Sequence, residues 1–458
     1  MIFLKRAIIF IFLYGVFCEG ASRLRDDFSG NISSYSKFGF NHAPIDVSKG
    51  QYPTDSFSDL YATLNLDHTF SNHFNAGIGF AFGGIVYDST KYDRDTTGKL
   101  VNPNGMAYKY LGYYAGFWSQ NKASALNTKN YYLSNLYIGY NNSFFSFKIG
   151  RFLFKNTDWL TGNQEGAEIH FKTEHTDTWG VMTHKKSSLG GKWLKDFKYI
   201  NASKVPTFAA GIKLKYPHTT FIPYIQSQPN LYLMAGFRLE YINNFMLWAT
   251  PITSETTLSS FYIHHTPKAQ KRLSVYDNGN TPVFGSITLP SLEGYKGRLV
   301  GAGGESFLLK QIFRISSSAL KHHFGFQIYE NFGNANEFVG GYGNPLGIDL
   351  NDSTIYDRGT ANNAIFAANA FNNIVFYGFK YQKFNMNIVN RYTASKRSDE
   401  ESLSLNMDYF FADKLSLGVN FTYFDDTTKK GYQVYHTYLT HDIKEDRSYI
   451  STYIKHMF

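Results

Sequence analysis

The 458-residue chain has one cysteine and only 12 prolines, and 18% of its residues are charged. The single Cys18 rules out an internal disulfide framework. After residue 20 no stretch supplies the eighteen or so consecutive apolar residues that a membrane-spanning helix requires. The mean hydropathy of −0.31 is that of a water-soluble chain. None of this excludes a transmembrane barrel, because a barrel hides half of every strand's side chains in a wet lumen and so has a weak hydropathy signal. Catalytic signatures are lacking too. The chain has no Gly-x-Ser-x-Gly elbow, no His-Glu-x-x-His and no phosphate-binding Gly-x-x-x-x-Gly-Lys-Ser/Thr loop, so an enzyme is not expected.

Aromatics and glycine are abundant: 42 Phe, 35 Tyr and 39 Gly. That balance suits strands. Ser58–Tyr87 shows how they are used. Leu60, Ala62, Leu64 and Leu66 alternate with Tyr61, Thr63, Asn65 and Asp67. After a polar turn at Ser71, Asn72 and His73, Phe74, Ala76, Ile78, Phe80 and Phe82 alternate with Asn75, Gly77, Gly79 and Ala81. A period of two gives each strand one apolar face and one polar or small face. Each run is roughly ten residues long, the length at which a tilted strand crosses a bilayer.

Met1–Gly20 reads as a secretory signal, with Lys5 and Arg6 ahead of the apolar core Ala7–Phe17. Residues 21–458 then form a single domain without cysteine. A closed sheet would stabilise such an exported chain by pairing every backbone group. The formal charge of +9 can signal nucleic acid, anionic lipid or anionic solutes. Export, and the even spread of Lys and Arg, argue against nucleic acid.

The alternation predicts an all-β, antiparallel transmembrane barrel of about 18 strands. Short turns on one side, such as 71–73, 141–143, 242–244 and 382–383, alternate with longer loops at 41–57, 88–130, 152–164, 185–206, 251–304 and 331–372. This is the asymmetry of bacterial outer-membrane barrels, with short periplasmic turns and long outer loops. A turn at Ile242-Asn243-Asn244 leads into a strand over 245–250, leaving 251–304 as a long loop. Tyr432–His441 is expected to fold within a ninth outer loop. Phe70, Phe74, Tyr87, Tyr140, Tyr216, Tyr241, Phe245, Tyr409, Phe410 and Tyr423 suit the interfacial aromatic girdles.

Three short motifs give a resemblance. Ile149-Gly150-Arg151-Phe152 ends the fifth strand, Leu160-Thr161-Gly162-Asn163-Gln164-Glu165-Gly166-Ala167 opens the sixth, and the final strand closes on an aromatic, Phe458. In these the chain resembles the OprD-type outer-membrane porins, especially the Hof-type outer-membrane proteins of Gram-negative bacteria. The resemblance implies an 18-stranded barrel, a third loop folded into the channel, and basic residues that select small anionic or carboxylate-bearing solutes. It makes Lys155, Asp158 and Trp159 candidates for the constriction. It also implies outer-membrane lipids and lipopolysaccharide as surroundings, and recognition of Phe458 by the barrel-assembly machinery. Loop 152–164 is short, which predicts a wide constriction.

Strand phase gives most of the lumen candidates, and Arg151 is added from the Gly-Arg motif. The basic set is Lys148, Arg151, Lys172, Lys213, Lys215, Arg238 and Arg391; the acidic set is Asp67, Glu168, Glu240 and Asp408. Charge on the lipid face costs about 2–4 kcal/mol for Lys or Arg at the midplane, which favours inward placement. A ring of cations at a narrow point lowers the barrier for anions. Strand 306–316 is apolar on both faces, so the phase of Lys310 and Arg314 is open. No metal is expected: in His264-His265 and His322-His323 the neighbours point to opposite faces. Asp349, Asn351, Asp352 and Asp357 lack the spacing of a calcium loop. No cofactor is implied. The expected function is a passive channel, and the alternative is a surface adhesin or receptor whose long loops bind a ligand on the same barrel.

Overall fold

The computed structural model describes residues 25–70, 72–101, 103, 131–189, 194–248, 250–274, 276, 299–317, 319–347, 365–434 and 437–458. The signal-peptide expectation, the calcium-loop residues and most of 102–130 and 277–298 lie outside them.

The strands run in chain order. The first seven are β1 (Arg25–Gly39), β2 (Phe57–Thr69), β3 (Phe74–Asp88), β4 (Tyr131–Asn141), β5 (Phe145–Phe154), β6 (Gly162–Lys172) and β7 (Thr176–Leu189). Next come β8 (Leu194–Tyr199), β9 (Thr207–Lys215), β10 (Thr219–Gln228), β11 (Tyr232–Leu247), β12 (Thr250–His265), β13 (Gly303–Ser316) and β14 (Leu320–Gly333). The last are β15 (Ala370–Tyr381), β16 (Phe384–Ala394), β17 (Ser398–Ala412), β18 (Leu415–Thr428), β19 (Gln433–Val434), β20 (Thr437–Tyr438), β21 (Ile443–Asp446) and β22 (Tyr449–Met457). Twenty of them form one sheet. β8 and β21 only extend the outer ends of β7 and β18. The other 18 pair antiparallel, and β22 closes on β1 from Asn31↔Met457 to Gly39↔Tyr449. β19 and β20 form a separate small hairpin within the ninth outer loop.

Closure follows from the alternation. On β2, Leu60 and Leu64 are exposed while Asp59, Tyr61 and Thr63 are buried. The same phase recurs at Ile138, Ile149, Ile225, Leu233 and Ile454, all exposed on the outer wall. Apolar side chains outside and polar ones inside is the arrangement of a barrel in lipid. Most of the expected girdle aromatics, including Phe70, Phe74, Tyr216, Tyr241 and Tyr409, are exposed. Phe74 packs edge-on against Tyr140 at 4.9 Å. At the seam Gly30 and Phe458 exchange both backbone hydrogen bonds at 3.2 Å. The Phe458 ring stacks on Phe28 at 5.7 Å.

One turn lies elsewhere than the sequence suggests. β11 runs straight through Asn243 and Asn244 to Leu247, and the reversal comes at Trp248, whose φ is +48°. The Asn244 side chain is satisfied across the hairpin by Thr253 Oγ1 at 2.7 Å, so the Asn pair does not turn the chain. Residues 251–265, expected as loop, therefore belong to the strand β12.

Much of the outer half of the lumen is filled. Phe152, Phe154, Trp159, Leu160, Trp179, Tyr232, Phe261, Tyr329, Phe338 and Phe366 form one buried cluster joining the wall to the loops.

Candidate functional site

The third loop, residues 155–161, crosses the lumen. Thr157 Oγ1 accepts from the Leu160 N–H at 2.9 Å and donates to the Leu160 carbonyl at 3.1 Å, which fixes a tight local bend. The bend presents Asp158 to the far wall. Arg238 on β11 donates from Nη1 to Asp158 Oδ1 at 2.6 Å, and Ser259 on β12 donates to Oδ2 at 2.6 Å. Trp159 is 1% exposed, with Phe261 at 5.3 Å and Tyr329 and Phe366 each at 6.1 Å. The short loop thus constricts the lumen by reaching across it, against the expectation of a wide opening.

A second loop, residues 334–347, braces the first. A Cβ on Gly343 would stand 2.0 Å from the Asp158 carbonyl oxygen, so only glycine permits this approach. The Tyr342 carbonyl accepts from the Thr161 N–H at 2.9 Å and from Lys186 Nζ at 2.6 Å. The Tyr342 hydroxyl accepts from the Asn201 N–H at 2.6 Å. Burial pushes the Tyr342 phenol up to about 12, so it stays neutral.

Between these loops and the wall lies a cavity of about 410 Å³, lined by Lys155, Asp158, Arg238, Glu240, Glu255, Lys310 and Asn344 among others. Its three carboxylates are each held by arginine. Arg238 bridges Asp158 at 2.6 Å and Glu240 at 2.5 Å. Arg314 holds Glu255 through Nε at 2.8 Å and Nη2 at 3.1 Å. Lys155 and Lys310 form no ion pair among the described residues, which leaves two ammonium groups for a passing solute.

The remaining lumen candidates are dispersed. Lys148 faces inward over the Tyr137 ring at 5.0 Å. Asp67 accepts from Tyr137 Oη at 2.7 Å, and Asp408 accepts from Tyr453 Oη at 2.7 Å. Glu168 lies 3.9 Å from His170, which contacts Asp177 at 2.8 Å. Lys172 and Lys213 both stand in register with Asp177, and Lys215 follows in the same phase toward the short-turn end.

Two candidates are corrected. Arg391 points inward but is 2% exposed, clamped by Glu400 at 2.5 Å and covered by Phe424 at 5.3 Å, so it is not a free lumen cation. Arg151 lies outside the lumen, because it shares its strand face with Ile149 and Leu153, both exposed on the outer wall. Ser259, Glu255, Lys310 and Arg314 were not singled out for the lumen by the sequence. The signal for Glu255 and Ser259 was present in the odd-numbered phase of 253–265, had the turn been placed at Trp248.

A closed 18-stranded antiparallel barrel with an apolar exterior and a loop folded into its lumen defines a bacterial outer-membrane barrel of porin type. The chain belongs to the family described as "Putative outer membrane protein", whose model matches residues 11–458. Its place is the bacterial outer membrane. No curated protein matches the chain. Solved structures of similar fold include OccAB1 of Acinetobacter baumannii, with a TM-score of 0.60 and 10% identity, covering 96% of this chain and 97% of that one. OccK3 (OpdO) of Pseudomonas aeruginosa has a TM-score of 0.55 and 9% identity, covering 94% and 95%. OpdK of the same organism, solved with vanillate, has a TM-score of 0.54 and 9% identity, covering 94% and 98%. At such identity the likeness is one of fold.

Proposed function

We propose that the protein is a passive diffusion channel for small hydrophilic solutes, with a preference for those bearing a carboxylate. The observation that carries the preference is the pairing at the constriction. Arg238, Arg314, Lys155 and Lys310 outnumber the carboxylates Asp158, Glu240 and Glu255, which the two arginines hold, while the two lysines form no ion pair among the described residues. Fixed cations at a narrow point favour anions there. OpdK, of the same fold, is solved with vanillate, a monocarboxylate, which is consistent with this reading. Passage needs no energy input and no bond-making step.

The test is recording from the refolded full barrel in a planar bilayer under a salt gradient. The expected result is discrete conductance steps with a reversal potential of anion-selective sign, and a lower conductance when benzoate is added. Absence of steps would overturn the channel; steps with cation-selective sign would overturn only the carboxylate preference.

A further inference from the structure

The outer wall of the barrel carries a feature that conduction does not use. The lipid-facing sides of β5, β6, β7, β9, β10 and β11 enclose an apolar groove of about 680 Å³. Its floor is made of small residues, Ala167, Gly180 and Ala210, and its sides of larger ones such as Ile149, Phe208 and Leu233. The floor is open: the nearest atom to a Cβ built on Gly180 would be Ile169 Cγ2 at 3.5 Å. A trough of this kind at membrane depth fits a hydrocarbon chain.

The same faces of β5, β6 and β7 continue toward the long-loop side into a charged cluster. Arg151 follows Ile149 in phase, Glu165 stands opposite Arg151, and Lys185 stands opposite Glu165 across a bulge. Arg151 Nη2 lies 2.8 Å and Lys185 Nζ 2.5 Å from the Glu165 carboxylate. Two cations share one acid, so the cluster keeps a net positive charge. Their side chains remain 25% and 26% exposed, enough for a further anion to reach them. The exposed Tyr199 lies 5.3 Å from the Lys185 ammonium, as aromatics do at a membrane interface, and Phe197, packed on the buried Tyr132, lies 4.4 Å from the Arg151 guanidinium. Charges on the lipid face are tolerated near the interface and not at the midplane. The cluster therefore marks the head-group level of the outer leaflet.

We propose that groove and cluster together bind one outer-leaflet glycolipid of the lipid A type, an acyl chain lying over Gly180 and a phosphate held by Arg151 and Lys185. The charge favours this occupant over a second copy of the chain. A twofold-related copy would bring the positive cluster against itself, whereas a phosphate complements it.

The experiment is native mass spectrometry of the detergent-solubilised full barrel, titrated with bis-phosphorylated lipid A or with phosphatidylethanolamine. Wild type is expected to retain one lipid A and to prefer it over phosphatidylethanolamine. Gly180→Leu, which fills the floor, and Lys185→Gln, which removes one phosphate contact, are each expected to weaken retention at least tenfold. Ala62→Leu, on the lipid face of β2, should leave it unchanged, and heat-dependent gel mobility confirms that every variant is folded. Equal retention by wild type, Gly180→Leu and Lys185→Gln would overturn the site. Retention of phosphatidylethanolamine as strong as that of lipid A would overturn the phosphate contact. A lipid-free oligomer that Gly180→Leu dissociates would assign the groove to a second copy instead.

Discussion

Asp158 Oδ1 and Arg238 Nη1 lie 2.6 Å apart although 80 residues separate them in the chain. The contact ties the mid-lumen loop to the opposite wall, and Ser259 doubles it at 2.6 Å. It also shapes the local charge, since the single Arg238 guanidinium is shared between Asp158 and Glu240.

Asp158→Ala removes the tether and one of the three cavity carboxylates. The expected outcome is a larger single-channel conductance with more frequent fluctuations, and a reversal potential moved further toward anions. Planar-bilayer recording reads all three; an unchanged conductance would mean that Trp159 alone holds the loop in place.

Lys310→Glu reverses one of the two cavity ammonium groups without touching the Arg238 contacts. The reversal potential under a salt gradient should move toward cations, and block by benzoate should weaken. Lys148→Glu, over Tyr137 and outside the 410 Å³ cavity, should have the smaller effect.

Arg391 and Glu400 are expected to matter for stability and not for selectivity. Their side chains are 3% and 0% exposed, so Glu400→Ala removes a carboxylate from against a buried guanidinium. Breaking such a pair costs about 3–5 kcal/mol. The denaturant midpoint of the refolded barrel should fall while the reversal potential stays where it was.

Gly343→Val should displace the bracing loop, because any Cβ there collides with the Asp158 backbone. Trp159→Ala should loosen the same region from below; emptying a fully buried Trp site costs about 3–5 kcal/mol. Both variants are expected to widen the pore, measured as conductance and as the exclusion limit in liposome swelling. If both leave the exclusion limit unchanged, the constriction is elsewhere.

How far the sequence was legible depends on how local the signal was. Leu60–Leu66 and Phe74–Phe82 state their faces by strict alternation, and the structure keeps that phase. Arg151 was also legible: three residues from Lys148, it cannot share the inward face of a regular strand, and Ile149 gives its true side. The Asn243-Asn244 pair misled because its composition is that of a turn while its backbone pairs as a strand, Asn243 opposite Ser254 and Asn244 opposite Thr253. Strand β12 was hidden because Ser254, Thr256 and Ser260 are polar on the outer face as well, which erases the alternation. The constriction is the least local feature of all. No pattern near Asp158 shows that Arg238, Ser259 and Gly343 converge on it, since that meeting is decided by closure of the whole sheet.

The seam joining Asn31 to Met457 has a consequence for how the molecule is made. The two partners lie at opposite extremes of the strand order, so no partly assembled form can use their pairing. Until they meet, every intermediate exposes two bare strand edges, each able to recruit a neighbouring polypeptide. Mutations that slow the zipping of β1 onto β22 should therefore surface first as aggregation during biogenesis, before any change in the finished channel is seen.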